Sequence, residues 1–258
     1  MQSANLSTAK ISYIDQKTSI KLAGSNDNYP ILLIHGFASS INDNWLDTHW
    51  IKFLSESGYR VIALDNRGHG KSQKFYSVDD YSLEVMAGDA VELLDYLEID
   101  RAHVMGYSMG SRISSVLTMN HPHRVGRLIL GGNGYGMIAG TGDWDPVYEG
   151  LMADSIDQVT DLRARAFRRF AERTGSDRKA LAACLMGIRH LFTEEQFAEI
   201  KNHVLVAIGS DDDIASSGQK LADLMENARF FSIPGRDHMR ATADKAFKSQ
   251  VAEFLNAQ

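Results

Sequence analysis

Short, uninterrupted apolar runs recur along the chain, and each is followed by a loop that contains glycine. Runs without polar alternation are typical of strands that are buried on both faces of a parallel sheet. The predicted strands are Ile31–Ile34, Arg60–Leu64, Ala102–Met105, Val125–Leu130, Val204–Ile208 and Arg229–Ile233.

Segments between these strands carry apolar residues at helical spacing. Within Asp79–Leu97, for example, Leu83 and Met86 begin one apolar face, and Asp79 or Asp80 is predicted to cap the N-terminus. The predicted helices are Asn44–Ser57, Asp79–Leu97, Ser111–Met119, Ser216–Asn227 and Lys245–Leu255.

The repeating order of strand, loop and helix from Pro30 onward predicts an α/β fold with a mostly parallel, twisted sheet flanked by helices. Before it, Lys10–Ile14 and Ser19–Leu22 alternate well enough to predict a short hairpin. From residue 135 to residue 196 the strand pattern stops and only helical segments appear. We therefore predict a core of residues 1–134 and 197–258, with residues 135–196 as a helical lid inserted over the carboxyl edge of the sheet.

One helix predicted within this insertion carries a cluster of arginines. At about 100° per residue, apolar residues such as Leu162, Ala166 and Phe170 fall on one face, and several arginines fall on the opposite face. Charge runs on helices usually face solvent. The arginines predicted to be solvated are Arg165, Arg168 and Arg169.

Charge and cysteine content narrow the classes of function. The formal net charge of the 258 residues is −6, and binding to DNA or RNA requires a basic surface, so no nucleic-acid partner is expected. The first residues contain no apolar leader segment and no apolar run reaches the length of a membrane span, so a cytoplasmic location is expected. The single cysteine, Cys184, lies among apolar residues and is predicted to be a small buried residue rather than a nucleophile.

A serine between two glycines lies where a predicted strand ends and a predicted helix rich in small residues begins. The motif is Gly106-Tyr107-Ser108-Met109-Gly110. Such a turn is a nucleophile elbow, which lifts the serine hydroxyl out of the sheet. The N–H of Met109 would lie at the helix N-terminus, where unpaired N–H groups and the helix dipole can stabilise an oxyanion. Alone, this pattern is a weak signal, because a tight turn also explains it.

Glycine-containing loops also follow the first two strands of the predicted parallel sheet. In the loop that begins at His35, the N–H of Phe37 could be a second oxyanion donor. His35 itself is predicted to be a structural histidine that holds the loop, because the base of such a triad comes last in the chain. In the loop Asp65–Ser72, the proximity of Arg67 to Asp65 predicts a local ion pair.

Candidate acids and a candidate base follow the last two predicted strands. One of the carboxylates in Asp211–Asp213 can orient a histidine. His238 lies in a glycine-containing loop rather than on an apolar helix face, which disfavours the alternative of a core histidine. Ser108, one of these acids and His238 therefore occur in the order Ser, Asp, His, each after a strand, as expected of a triad on an open α/β sheet.

On these residues the chain resembles the alpha/beta-hydrolase fold superfamily over nearly its whole length. The resemblance implies that the acid is the third residue after Gly209, which selects Asp212. Some members of that superfamily take the acid from the end of the preceding strand, but this chain has Asn133 there. The matching motifs are His35-Gly36-Phe37, Asp65–Ser72, Gly106–Gly110, Gly209-x-x-Asp212 and Gly235-x-x-His238.

The resemblance and the serine in the elbow together predict a serine hydrolase. A serine activated by histidine attacks a carbonyl carbon, whereas an aspartate at that position, as in related dehalogenases and epoxide hydrolases, attacks an alkyl carbon. No metal or organic cofactor is expected. The expected site residues are Ser108, Asp212 and His238 for catalysis, and Phe37 and Met109 for the oxyanion hole.

The expected substrate is a small carboxylic ester or lactone, cleaved through an acyl-enzyme on Ser108. A carbon–carbon bond hydrolase or a perhydrolase would use the same triad. A hydrolase-like ligand receptor would keep the triad but turn over very slowly. Because loops and lid determine function on this fold, the sequence specifies neither the acyl and alcohol parts of the substrate nor the oligomeric state.

Overall fold

The computed structural model describes residues 1–18 and 29–257 of the chain. The strands are β1 (Gln2–Asn5), β2 (Lys10–Gln16), β3 (Ile31–Ile34), β4 (Val61–Leu64), β5 (Ala102–Tyr107), β6 (Val125–Gly131), β7 (His203–Gly209) and β8 (Ala228–Ile233). They form one sheet in the order β1-β2-β4-β3-β5-β6-β7-β8. The pairs β1–β2 and β2–β4 are antiparallel and the other neighbouring pairs are parallel, which confirms the predicted mostly parallel sheet.

Helices cover both faces of this sheet, as predicted. They are α1 (Trp50–Glu56), α2 (Leu83–Tyr96), α3 (Met109–Asn120), α4 (Gly136–Ala139), α5 (Asp145–Met152), α6 (Leu162–Arg173), α7 (Arg178–Gly187), α8 (Glu194–Ala198), α9 (Gly218–Ala222) and α10 (Lys245–Asn256). Helices α4 to α8 lie between β6 and β7 and are called the helical insertion below. Among the described residues, no helix is both long enough and apolar enough to span a bilayer.

Two apolar clusters pack on the sheet. The first contains Trp50 and Phe247, from α1 and α10. The second contains residues of α2 and α3, and Leu181 and Phe197 show that the helical insertion is continuous with it. Burial of apolar side chains on both faces explains why the central strands are uninterrupted apolar runs.

The strand order reverses at β3. The chain passes from β3 to β4 on one side and then to β5 on the other, so Ile34 at the end of β3 pairs with both Leu64 and Gly106. Loops that leave such a pair of strands diverge and open a crevice at the carboxyl edge of the sheet. The loop after His35 and the turn at Ser108 therefore face each other.

The N-terminal region differs from the predicted hairpin. The predicted strand at Lys10–Ile14 is present as β2, but its hairpin partner is β1, which pairs Ala4 with Ile11. The polar sequence of β1 gave no strand signal. The predicted strand Ser19–Leu22 lies outside the described residues.

The predicted helix Asn44–Ser57 is divided. A turn of π-helix covers Asn42–Leu46, and α1 begins only at Trp50, after His49 with a left-handed backbone conformation (φ 62°). The hydroxyl of Thr48 donates to the carbonyl of Asn44, and this bond lies within the break. The spacing of apolar residues alone does not reveal such a break in a helix.

Two other predicted helices are shorter than expected. The hydroxyl of Ser82, rather than Asp79 or Asp80, accepts the N–H of Val85 and caps α2. Helix α9 ends at Ala222 rather than at Asn227, and Ser217 caps its start. In both cases a serine with an extended backbone offers its oxygen to an N–H inside the first turn, which determines where the helix begins.

The predicted ion pair between Arg67 and Asp65 is wrong. Arg67 is buried and pairs with Asp89 of α2 at 2.7 Å. Asp65 instead accepts the N–H groups of Ile41 and Lys71. The long arginine side chain reaches a neighbouring helix, which proximity in the sequence could not reveal.

The predicted solvated arginine face of α6 is wrong at Arg168. This residue is only 3% exposed, donates to the carbonyls of Gly150 and Ala153, and pairs with Glu172 at 2.6 Å. By contrast Leu162, predicted on the apolar face, is 83% exposed. Carbonyl groups left free at the end of α5 need donors, and Arg168 supplies them.

Candidate active site

Ser108 lies in the sharp turn between β5 and α3, as the sequence predicts. Its backbone angles, φ 54° and ψ −117°, are those that a non-glycine residue rarely adopts. The neighbouring glycines permit this turn. A Cβ on Gly106 would lie 2.2 Å from the carbonyl oxygen of Gly110, and a Cβ on Gly110 would lie 1.9 Å from that of Ile34.

Ser108, His238 and Asp212 are brought together from three strand ends. The Nε2 atom of His238 lies 3.0 Å from the Oγ atom of Ser108, and its Nδ1 atom lies 2.7 Å from Oδ2 of Asp212. The His238 side chain is 9% exposed and that of Asp212 is fully buried. An imidazole in this arrangement can take a proton from the serine while the carboxylate holds its orientation.

The three neighbouring aspartates differ in environment. Oδ1 of Asp212 accepts the N–H groups of Ile214 and Ala215, both at 2.9 Å, which leaves Oδ2 for His238. Asp211 and Asp213 are exposed to solvent. The structure therefore brings only Asp212 of these three to the histidine.

Supporting residues around the triad escaped the sequence analysis. The hydroxyl of Tyr107 donates to the backbone carbonyl of His238, and its ring lies 5.6 Å from the imidazole. The side-chain amide of Asn133 donates to the carbonyl of Ser108 at 3.2 Å. Because Tyr107 belongs to the elbow motif and Asn133 lies at a predicted strand end, the sequence predicted where in the fold both residues lie. It did not predict their hydrogen bonds.

The peptide between Gly36 and Phe37 is held in one orientation. Its carbonyl oxygen lies 2.8 Å from Nδ1 of His35 and accepts the N–H of Ser39. In a trans peptide the N–H points away from the carbonyl. Anchoring the carbonyl of Gly36 therefore directs the N–H of Phe37 to the opposite side of the peptide plane.

His35 is a structural histidine, as predicted. Its Nε2 atom accepts the N–H of Asn66 at 3.0 Å, so the proton sits on Nδ1 and is donated to Gly36. Burial lowers the pKa of His35 to about 4, and that of the adjacent His69 to about 3. Both rings are therefore neutral at pH 7, and His35 retains the tautomer that this bond requires.

The loop after Phe37 also contacts the helical insertion. Ala38 has a left-handed backbone (φ 57°), and its carbonyl accepts the hydroxyl of Thr174 at 3.2 Å. The rings of Phe37 and Phe167 lie 5.9 Å apart. Asn44, inside the π-helical turn, accepts the N–H of Gly36 at 3.0 Å. The contacts with Thr174 and Phe167 join residues far apart in the sequence, for which the sequence carried no signal.

Met109 is the first residue of α3, and its N–H is one of the donors that a helix N-terminus leaves unpaired. Its sulfur lies 4.0 Å from that of Cys184 in α7. Cys184 is buried, as predicted, and burial raises the pKa of its thiol. In residues 1–18 and 29–257, no three His, Cys, Asp or Glu side chains are grouped so that they could hold a metal ion.

Comparison with known proteins assigns the family. The alpha/beta hydrolase fold family matches residues 29–240, so the chain belongs to this family. The protein named Putative carbamate hydrolase RutD, from Caulobacter segnis, is 26% identical over an alignment of 232 residues that covers 80% of this chain and 84% of that protein. A 2-hydroxy-6-oxononadienedioate/2-hydroxy-6-oxononatrienedioate hydrolase from Burkholderia vietnamiensis is 36% identical over an alignment of 113 residues that covers 42% of this chain and 38% of that protein.

Solved structures agree with this assignment. The enol-lactonase from Burkholderia xenovorans superposes with a TM-score of 0.77 at 22% identity, covering 99% of this chain and all of that chain. A hydrolase from Pseudomonas aeruginosa superposes with a TM-score of 0.79 at 24% identity, covering 99% and 98%. At these identities the structural likeness establishes the fold, and the family establishes that the chain is a hydrolase.

Proposed function

We propose that this protein is a serine hydrolase that cleaves a small carboxylic ester or lactone through an acyl-enzyme on Ser108. The observation that supports this proposal most is the pair of contacts made by the His238 imidazole. Its Nε2 atom lies 3.0 Å from Oγ of Ser108, and its Nδ1 atom lies 2.7 Å from Oδ2 of Asp212. A buried carboxylate, an oriented imidazole and a serine hydroxyl in this order form the arrangement that activates serine for acyl transfer.

In the first half of the proposed reaction, His238 removes the proton of Ser108 as Oγ bonds to the substrate carbonyl carbon. The protonated His238 then donates that proton to the leaving oxygen, and the bond between the carbonyl carbon and this oxygen breaks. In the second half, water gives a proton to His238 and attacks the acyl carbon. The return of the proton to Oγ of Ser108 releases the acid and restores the protein.

The negative charge that forms on the carbonyl oxygen would be stabilised by the N–H groups of Phe37 and Met109. Support for Phe37 comes from its peptide, whose carbonyl is anchored by His35, and support for Met109 comes from its place at the start of α3. Donors held in advance stabilise the transition state without reorganisation. Residues 135–196 would act as the lid that covers this site, and their contact with Ala38 through Thr174 supports this role.

The names of similar proteins leave more than one bond type open. A carbamate hydrolase and an enol-lactonase are named among them, and so is a hydrolase of a 2-hydroxy-6-oxo dioate. We favour an ester or lactone because its leaving oxygen needs only the one proton that His238 supplies, whereas a carbon leaving group must also be stabilised by the substrate itself. A carbon–carbon bond hydrolase and a slow ligand receptor are distinct outcomes of the test.

The test is hydrolysis of 4-nitrophenyl esters from acetyl to decanoyl, followed from the first turnover. We expect sustained release of 4-nitrophenol that requires Ser108, with one preferred acyl length that reports the depth of the acyl site. Ser108→Ala is the control. A single burst of one equivalent followed by very slow release would contradict the esterase proposal and favour a receptor or a carbon–carbon bond hydrolase. Equal turnover by Ser108→Ala would exclude the acyl-enzyme.

A further inference from the structure

The loop that carries Phe37 packs against the C-terminal end of α6 in the helical insertion. Ala38 is fully buried, and its carbonyl oxygen lies 3.2 Å from Oγ1 of Thr174 and 3.4 Å from Oγ of Ser176. In the part of the chain that the structure describes, these two hydroxyls are the only donors to this carbonyl. A buried carbonyl needs a donor within the protein because water does not reach it. The insertion supplies that donor.

The protons of the two hydroxyls are not needed elsewhere. Thr174 Oγ1 also lies 3.0 Å from the carbonyl of Phe170 and 3.1 Å from that of Ala171, but these carbonyls already accept the backbone N–H groups of Thr174 and Ser176. The two hydroxyl oxygens lie 2.8 Å apart, so either can donate to the other. Each hydroxyl has one proton to donate. Whichever hydroxyl donates to the other, the second proton remains for the carbonyl of Ala38.

Two successive peptide planes connect this carbonyl to the proposed oxyanion donor. The carbonyl of Ala38 and the N–H of Ser39 belong to one trans peptide and point to opposite sides of it. That N–H donates to the carbonyl of Gly36 at 3.3 Å. The carbonyl of Gly36 shares the next plane with the N–H of Phe37. A donor on the carbonyl of Ala38 therefore helps to set the direction of the Phe37 N–H.

The conformation of this loop requires support from outside the loop. Ala38 has a φ of 57°, which is unfavourable for a residue with a Cβ and persists only where surrounding contacts hold it. Nδ1 of His35 donates to the carbonyl of Gly36, but one hydrogen bond leaves the peptide plane able to tilt about that bond. Helix α6 adds a second contact, since the ring of Phe167 lies 5.9 Å from that of Phe37. The insertion thus holds both the Phe37 side chain and the backbone that follows it.

We propose that Thr174 and Ser176 position the oxyanion donor of Phe37, so that ester cleavage depends on docking of the helical insertion onto this loop. This inference rests on the proposed acyl transfer at Ser108. When the insertion moves away, the carbonyl of Ala38 loses its donors and the loop can relax from its strained conformation. The triad residues lie in the core and keep their contacts, but the transition state loses one stabilising N–H.

The test removes both hydroxyls in the double variant Thr174→Val/Ser176→Ala. Hydrolysis is measured with the 4-nitrophenyl ester that the wild-type protein cleaves fastest. We expect kcat to fall about 10- to 100-fold, less than the loss of about 10²–10³-fold that follows complete removal of an oxyanion donor. KM should stay within about threefold, because the donor acts on the transition state rather than on bound substrate. Each single variant keeps one hydroxyl for Ala38 and should lose less than about threefold.

Thr174→Ser and Thr193→Val are the matched controls. Thr174→Ser keeps the hydroxyl and should retain kcat within about twofold of wild type. Thr193→Val is the same substitution at the N-cap of α8, elsewhere in the insertion, where the hydroxyl accepts the N–H of Gln196. It weakens a helix of the insertion without touching the loop, so kcat should not change. Wild-type kcat in the folded double variant, or an equal loss in Thr193→Val, would overturn the proposal.

Hydrogen exchange read by mass spectrometry gives a result that does not depend on turnover. In the double variant we expect the N–H of Ser39, followed in a peptide that covers residues 36–40, to exchange at least about tenfold faster than in the wild-type protein. Thr193→Val should leave this rate unchanged. If the wild-type protein hydrolyses no ester, the proposed acyl transfer fails, while faster exchange still supports the anchoring of the loop by Thr174 and Ser176. Unchanged exchange in the double variant overturns that anchoring in either case.

Discussion

Replacing Asp212 by asparagine is expected to lower kcat for ester hydrolysis by about 10⁴-fold, whereas Asp211→Asn and Asp213→Asn are expected to leave it nearly unchanged. The carboxylate of Asp212 accepts from Nδ1 of His238 at 2.7 Å, and this bond holds the tautomer whose Nε2 can accept the proton of Ser108. An amide at this position can donate to Nδ1 and stabilise the opposite tautomer, which cannot accept that proton. Steady-state kinetics of the three variants on one ester measure the effect.

The two control variants make this prediction specific. Each removes one negative charge within one residue of Asp212, but both side chains are exposed, where screening by water keeps the effect of a charge small. Far-ultraviolet circular dichroism of all three proteins establishes that they are folded. A loss of similar size in Asp213→Asn, or the retention of activity in Asp212→Asn, would contradict the assignment of the acid.

Gly110→Ala is expected to lower the free energy of unfolding by at least about 3 kcal/mol, because overpacking against backbone leaves nothing that can move aside. The added Cβ would lie 1.9 Å from the carbonyl oxygen of Ile34 and 2.9 Å from that of His35. Either α3 separates from β3 or the elbow distorts. Urea unfolding of the purified variant measures the loss.

Gly88→Ala is the matched control. Gly88 lies inside α2, its φ is not in the left-handed range, and an added Cβ meets no heavy atom within 4 Å. Alanine is the better helix former by about 0.8–1 kcal/mol, so this variant should be slightly more stable than wild type. If both substitutions had the same small effect, the close contact at Gly110 would not be what brings the helix onto the strand.

Much of the candidate site could be predicted because its residues lie in turns directly after buried strands, and local sequence patterns indicate both the strands and the turns. Ser108 and His238 each follow a buried strand and lie in a glycine-containing turn, and parallel strands deliver such turns to one edge of the sheet. The residues alone left Asp211, Asp212 and Asp213 as alternative acids. Resemblance to the family favoured Asp212, and its contact with His238 agrees.

Contacts between residues far apart in the sequence could not be predicted, for a physical reason. Arg67 pairs with Asp89 rather than with Asp65, and Arg168 is buried rather than solvated. A long side chain can reach partners in several elements, and periodicity within one helix does not specify how the neighbouring helices pack. The break before α1 was missed for a similar reason, since the left-handed backbone of His49 has no signature in the apolar pattern.

The most direct test of the central claim is covalent trapping of Ser108 with diisopropyl fluorophosphate, read by intact mass and by peptide mapping. Attack by Oγ on phosphorus displaces fluoride and leaves a stable mimic of the tetrahedral intermediate. We expect stoichiometric labelling of the peptide that contains Ser108 in the wild-type protein, and labelling slowed by orders of magnitude in His238→Ala. An unlabelled Ser108 in the folded wild-type protein, or equal labelling in both proteins, would contradict the account.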